Sequence, residues 1–210
     1  MPIQLPPETA ALIEDLIARE WAFFDQVHAL GGRASCQDDH TTFYIMRCSQ
    51  FLTWDRSVLE SYGEDLRAAE SAGRNPIAEK YGYMMQWTDP AYFRANLAGR
   101  LPEISAAKLA AVEEIAARYA RWHQSAKALY PAFVGRGRPE TGVDSETTSS
   151  DVYLRGELLT YSEKTLLLLR EMTAARAAAG RNPIVEIFEH TAQFYGFDSL
   201  RAAEDSLSGR

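Results

Sequence analysis

The sequence predicts an all-α protein, and three features carry that reading. Apolar side chains recur at three- and four-residue spacing, as in Leu12, Ile13, Leu16, Ile17, Trp21, Phe24 and Val27. That spacing draws the stripe a helix buries. Capping residues and glycines punctuate such stretches, with Asn75-Pro76 and Asn182-Pro183 opening segments and Gly73 and Gly180 closing them. No alternating apolar and polar run flanks a hairpin dipeptide.

The first helix is expected over residues 8–30, closed by Gly31-Gly32, since glycine takes the left-handed conformation without steric cost. A polar loop comes next. Asp39 can cap a second helix through Phe43, Ile45, Met46 and Phe51. Asp55 can cap a third, running to Ala72 and stopping at Gly73. Asn75-Pro76 opens the fourth, because asparagine caps and proline suits the first helical position. Asp89-Pro90 opens a short fifth. Ser105 opens a long sixth, to about Leu129, stopped by Pro131. Residues 131–150 lose all apolar period and read as a long polar loop. Helix resumes near Asp151, breaks at Thr160 to Ser162, and runs on to Ala179. It restarts at Asn182-Pro183, and a last short helix begins near Ser199.

A repeat lies in this order. At an offset of 160 − 53 = 107, 13 of the 37 positions from Leu52 to Thr88 match Leu159 to Tyr195 without a gap. Chance would give roughly two or three, so two homologous multi-helix halves are expected. They would span about residues 8–100 and 101–207 and pack about a pseudo-twofold axis. Half a chain of this length could not bury its apolar faces alone, so one domain over residues 1–210 is expected, with a shared core. The matched Ala-Gly-Arg-Asn-Pro-Ile segments are explained by helix grammar. Their arginines, Arg74 and Arg181, are expected to pair with Glu79 and Glu186 or with helix-end carbonyls.

Composition narrows the function. The 210 residues hold 29 acidic and 22 basic side chains, a net charge of −7. Such a surface repels phosphate backbones, so no nucleic-acid partner is expected. No apolar run approaches the ~20 residues that span a bilayer, so no membrane partner is expected. The start, Met-Pro-Ile-Gln-Leu-Pro-Pro-Glu, lacks a charged and then apolar leader, and a cytoplasmic location is expected. Cys36 and Cys48 then read as free thiols.

Three segments resemble a known family. They are Gly-Arg-Ala-Ser-Cys-Gln-Asp-Asp from Gly32, Thr-Phe-Tyr-Ile-Met-Arg-Cys-Ser-Gln-Phe from Thr42, and Tyr-Leu-Arg-Gly-Glu-Leu-Leu-Thr-Tyr-Ser-Glu-Lys-Thr-Leu from Tyr153. They are similar to a bacterial family known as domain of unknown function 4125, and the likeness spans nearly the whole chain. It implies signature positions at Gly32, Arg33, Cys36, Gln37, Asp38, Asp39, Arg47, Ser49 and Gln50. In the second half it implies Gly135, Arg136, Gly137, Arg138, Arg155, Gly156, Glu157, Tyr161 and Ser162. It implies no reaction. Cys48 is expected to differ among members, which implies no required Cys36–Cys48 pair.

The chemistry concentrates in residues 31–54 and in the second polar loop. Candidate catalytic groups are Cys36, Asp38, Asp39 and Glu157. A thiolate at Cys36 would feel Arg33 and the positive end of the next helix; the plainer alternative is a small buried residue. His40 stands too close in sequence to make a convincing thiol–imidazole pair. Candidate substrate-binding groups are Arg33, Arg47, Arg136, Arg138, Arg155 and Tyr161. Loop-borne guanidinium forks suit a carboxylate or phosphate, and Glu157, Tyr161 and Tyr44 suit a cationic or polar end. The alternative is that these arginines fasten loops through Asp38, Asp39, Asp151 and Glu157. No ligand spacing of a familiar metal site occurs, and neither metal nor cofactor is expected.

Two functions remain. One is an enzyme acting on a small anionic or zwitterionic, amino-acid-like metabolite in a pocket between the halves. There Cys36 would face the pocket and Cys48 would pack against its own helix's neighbours. The other is a non-catalytic ligand-binding or adaptor protein with an apolar patch near Trp87, Tyr92 and Phe93.

Overall fold

The computed structural model describes residues 5–28, 32–138 and 148–209. Its regular structure is helical throughout: α1 (Pro7–Asp25), α2 (His40–Phe51), α3 (Arg56–Ser71), α4 (Pro76–Thr88), α5 (Pro90–Tyr92), α6 (Ala106–Leu129), α7 (Pro131–Val134), α8 (Ser150–Leu158), α9 (Glu163–Ala178), α10 (Pro183–Phe194) and α11 (Leu200–Leu207). No strand occurs among the described residues, only isolated bridge positions at Gly32 and Thr148. None of the helices described is long and apolar enough to cross a membrane.

Most boundaries obey their local signals. Asp39 accepts from the Thr42 amide, Asn75 from Ala78, Asp89 from Tyr92, Ser105 from Lys108 and Ser199 from Ala202. Gly73 and Gly180 adopt φ of +64° and +67° beyond α3 and α9. Three expectations need correction. First, α1 stops at Asp25, several residues early. Its last turn is closed by Gln37, whose Nε2 donates to the carbonyls of Phe24 (2.8 Å) and Val27 (3.0 Å). Gly31 lies outside the described residues. Second, the expected loop from 131 begins as the one-turn helix α7. Glu204 of α11 accepts from the amides of Ala132 (3.0 Å) and Phe133 (2.7 Å), supplying an anionic cap at the positive helix end. Residues 139–147 of that loop lie outside the described residues. Third, Asp55 takes the capping position of α3 without a side-chain capping bond, because its carboxylate pairs with Arg176 at 2.6 Å.

One large core gathers Leu16, Ile17 and Phe24 of α1 with Phe51, Leu59, Leu66, Ile115, Leu158, Leu166 and Leu169. A smaller cluster forms around Leu200 and Ala203 of α11. Within this body α1 packs on α3, α6 on α9, and α3 on α9; α4 packs on α8, and α10 on α2. Positions 107 apart perform the same local task. Asn75 Nδ2 donates to the Phe23 carbonyl (2.8 Å), and Asn182 Nδ2 to that of Trp122 (2.9 Å). Arg74 pairs with Glu79 and Arg181 with Glu186, which gives both arginines the structural role.

The close packing of α4 on α8 positions the candidate site. Gly156 of α8 lies against α4 so closely that a Cβ there would sit 2.5 Å from Met84 Cγ and 3.0 Å from the Lys80 carbonyl oxygen. This approach brings Lys80 of α4 alongside Glu157 and Tyr153 of α8.

Candidate functional site

Four helices each bury one charge at a common point. Glu20 of α1, Arg47 of α2, Lys80 of α4 and Glu157 of α8 are each at most 9% exposed. Arg47 forks onto Glu20 through Nε and Nη2, both at 2.5 Å, and reaches Glu157 through Nη1 at 3.0 Å. Lys80 Nζ donates to the other Glu157 oxygen at 3.0 Å. Tyr62 donates to Glu20 (2.5 Å), Tyr161 to Glu157 (2.7 Å), and Gln50 lies 3.4 Å from Glu157. Two cations thus meet two carboxylates, and every carboxylate oxygen has a donor. Such saturation is what lets charges persist away from water.

The electrostatics follow from that geometry. Burial alone would raise the Glu157 carboxyl, but Arg47 and Lys80 outweigh it and hold Glu157 far below the usual carboxylate range. Burial pushes the Glu20 carboxyl up, against the pull of Arg47. Burial likewise pushes Tyr62 and Tyr161 well above an ordinary phenol, and the neighbouring carboxylates reinforce it. Both tyrosines are therefore neutral donors that hold the cluster.

From Lys80 the polar chain runs outward. Lys80 Nζ stands 3.4 Å from the ring centre of Tyr153 and 5.9 Å from that of Tyr81, and both tyrosines are half-buried. Burial pushes the Tyr153 phenol up and the Glu157 carboxylate adds to this, but the Lys80 ammonium more than reverses both, helped by the neighbouring Tyr81 hydroxyl. Tyr153 therefore ionises below the ordinary tyrosine value. Tyr81 moves the opposite way: burial raises it, then Tyr153, with Cys36 adding and Arg138 opposing. Arg138 lies with its guanidinium carbon 4.8 Å from the Tyr153 ring centre. It is carried there by the tight turn after α7, where Gly135, Arg136 and Gly137 donate to Pro131, Phe133 and Val134. The Ser150 hydroxyl approaches the Arg138 carbonyl at 3.5 Å.

The residues singled out by sequence fall into three places. Arg47, Glu157 and Tyr161 form the buried cluster. Cys36, exposed in a short 3₁₀ turn (Ser35–Asp38), lies within electrostatic reach of Tyr81, and Arg138 lies over Tyr153. The rest, Arg136 excepted, fasten the chain. Arg33 pairs with Asp25 (2.6 Å) and Asp38 (2.8 Å) and donates to the Asp25 and Gln37 carbonyls. With Gln37, it ties the first polar loop to the end of α1. Asp39 caps α2, and its bonds from Thr42 lower its carboxyl. Arg155 binds Asp151 (2.8 Å) and Glu113. Arg136 is exposed in the turn after α7. The apolar patch considered for an adaptor is half-buried at Trp87, Tyr92 and Phe93, and Trp87 packs on the main core. No three His, Cys, Asp or Glu residues among those described are grouped to hold a metal ion.

Sequence reasoning passed over Glu20, Lys80, Tyr81 and Tyr153. A signal existed for two of them. Glu20 continues the buried stripe Ile13, Leu16, Ile17, and Lys80 that of Pro76 and Ile77. A charge at a core position of a helix requires a buried partner.

The two thiols differ sharply. Cys36 is exposed, whereas Cys48 is buried in the core, and burial raises its thiol. Iodoacetamide at neutral pH is expected to label Cys36 at least about tenfold faster than Cys48, since exposure and thiolate fraction set the rate. Peptide mass spectrometry reads the order. Equal rates, or Cys48 first, would remove Cys36 as a candidate nucleophile.

No curated protein and no solved structure matches the chain. A family model described as protein of unknown function DUF4125 matches residues 10–205. That span holds all four charges of the buried cluster, together with Cys36, Tyr81, Arg138 and Tyr153. The chain therefore belongs to the DUF4125 family.

Proposed function

We propose that the protein is an acid–base enzyme for a small anionic or zwitterionic metabolite, and that Tyr153 is its proton-transfer group. The observation that carries this is the Lys80 ammonium 3.4 Å from the Tyr153 ring centre, with Lys80 held by Glu157 at 3.0 Å. A phenol beside a fixed ammonium gives up its proton more readily, which brings it nearer the range useful for general acid–base work. Glu157 keeps the ammonium in place, and Arg47 in turn holds Glu157. These are positioning residues. Arg138 supplies a guanidinium for the carboxylate or phosphate of the ligand. Cys36, on the Tyr81 side, is a second candidate for proton transfer or attack.

The site sits where α4 meets α8, and we read these as belonging to two related halves about a pseudo-twofold axis. The matched roles of Asn75 and Asn182 support that reading, as do the reciprocal packing of α4 on α8 and α10 on α2. Unlike conformations of residues 52–88 and 159–195 in an experimental structure would remove it.

The chemistry is tested without knowing the substrate. A panel of small carboxylates and phosphorylated metabolites is screened for a rise in melting temperature. Hits are then incubated in deuterium oxide and followed by proton NMR. The expected result is wash-in of deuterium at a carbon adjacent to a carbonyl or carboxylate. Tyr153→Phe should cut that wash-in at least about a hundredfold, in line with loss of a general acid–base group, while the thermal shift persists. Arg138→Ala should remove the shift. A shift without exchange in the native protein would favour the ligand-binding alternative. No shift with any anion would overturn both.

A further inference from the structure

A concavity lies between α1, α2 and α10 and the turn leading into α11. It measures about 550 Å³, within the ~300–1,000 Å³ typical of small-molecule sites. Its walls are apolar and aromatic, with Leu52, Phe194 and Phe197 among them. Phe194 remains 41% exposed although Tyr44 meets it edge-on, with ring centres 6.3 Å apart.

Among the described residues the charge of this groove has one sign. Glu14 and Asp198 line it, and none of the described lining residues is a lysine or arginine. The Tyr44 hydroxyl donates to one Glu14 oxygen at 2.5 Å, which fixes the carboxylate at the edge of the apolar wall. No salt bridge engages Glu14 or Asp198 among the described residues. The other titratable lining groups are Cys48, Tyr44 and His190. Burial pushes Cys48 up and His190 down, and the hydrogen bond to Glu14, with burial, pushes Tyr44 up, so all three are neutral near pH 7. The described lining therefore presents two carboxylates, aromatic faces and no lysine or arginine.

We propose that this groove binds a small primary amine with an apolar or aromatic body, the ammonium meeting Glu14 and Asp198 and the body lying against Leu52, Phe194 and Phe197. Charge complementarity selects the ligand's sign, and the aromatic faces favour an ammonium further. The site is separate from the Lys80–Tyr153 site: none of Lys80, Tyr81, Arg138 and Tyr153 lines it.

The test uses a matched pair of probes, tryptamine and indole-3-propionate, which share a ring and differ in sign. Calorimetric titration is expected to show tryptamine binding at least about tenfold more tightly, the gap that complementary against like charge should open. Raising the salt concentration should weaken it. The double variant Glu14→Gln, Asp198→Asn should abolish the preference while circular dichroism stays unchanged; Phe194→Ala should weaken binding of tryptamine in the otherwise native chain. Equal binding of the two probes would overturn the proposal, as would a preference that survives the double variant. No binding of either probe would also overturn it. If sedimentation then showed a concentration-dependent dimer abolished by Phe194→Ala, the face would belong to a second copy of the chain.

Discussion

Replacing Glu157 by glutamine is expected to lower stability by ~3–5 kcal/mol, the scale for removing one partner from a buried ion cluster. The substitution keeps the volume, so packing contributes little. What changes is the donor count. Glu157 Oε1 accepts from Arg47 and Tyr161, and Oε2 accepts from Lys80. An amide must turn its NH₂ toward one of those sides and so set donor against cation. Arg47 would keep Glu20, but Lys80 would lose its carboxylate. Urea unfolding followed by circular dichroism reads the loss, and a change under about 1 kcal/mol, the scale of an exposed pair, would mean that the cluster is solvated. The pH dependence carries a definite sign. Glu157 is depressed in the folded state, so its contribution is fully present above the unfolded value of about 4.3. It is lost as pH falls below that value toward the folded one. The gap between native protein and variant should therefore be largest near neutral pH and narrow below about pH 4.

Gly156→Ala is expected to destabilise by roughly 1–3 kcal/mol or more, although alanine is the better helix former. Propensity alone would favour the change by up to about 1 kcal/mol. Sterics decide against it. The added methyl would meet Met84 Cγ at 2.5 Å and, less yieldingly, the Lys80 carbonyl oxygen at 3.0 Å. A side chain can rotate away, but a backbone carbonyl inside a helix moves only with the helix. Parting α4 from α8 would also lengthen the Lys80–Glu157 and Lys80–Tyr153 contacts. Phenolic absorbance provides a second readout: the lowest-lying tyrosine ionisation, that of Tyr153, should move back up toward the ordinary value. A stabilised variant with unchanged phenolic titration would show that the helices have room to spare.

What the sequence made legible was whatever a few neighbouring residues decide. Asn75, Asn182 and Ser105 cap within three residues of themselves, and each boundary was readable from its own neighbourhood. The end of α1 was not, because Gln37 closes it from 13 residues downstream. Nor was α7, whose cap Glu204 lies 72 residues from Ala132. The site divides in the same manner. Arg47 and Glu157 stood out within dense polar motifs, yet their contact spans 110 residues. Lys80 looked like an ordinary helix charge until α8 was placed beside it. A local pattern shows that a residue is out of character, and only the tertiary partner says what it is for.

The composition of the buried cluster has a consequence for how the chain folds. Three of its four charges, Glu20, Arg47 and Lys80, come from helices in the first hundred residues, and only Glu157 comes from beyond them. A collapsed intermediate built from α1 to α4 alone would enclose two cations against one anion, and the excess cation would draw water into the nucleus. Such a species is disfavoured until α8 docks. Partly assembled states are thereby thinned from the ensemble, and the gain from completing the cluster arrives in one late step. The expected signature is a single sharp unfolding transition shared by both ends of the chain, with little tendency for either half to melt first.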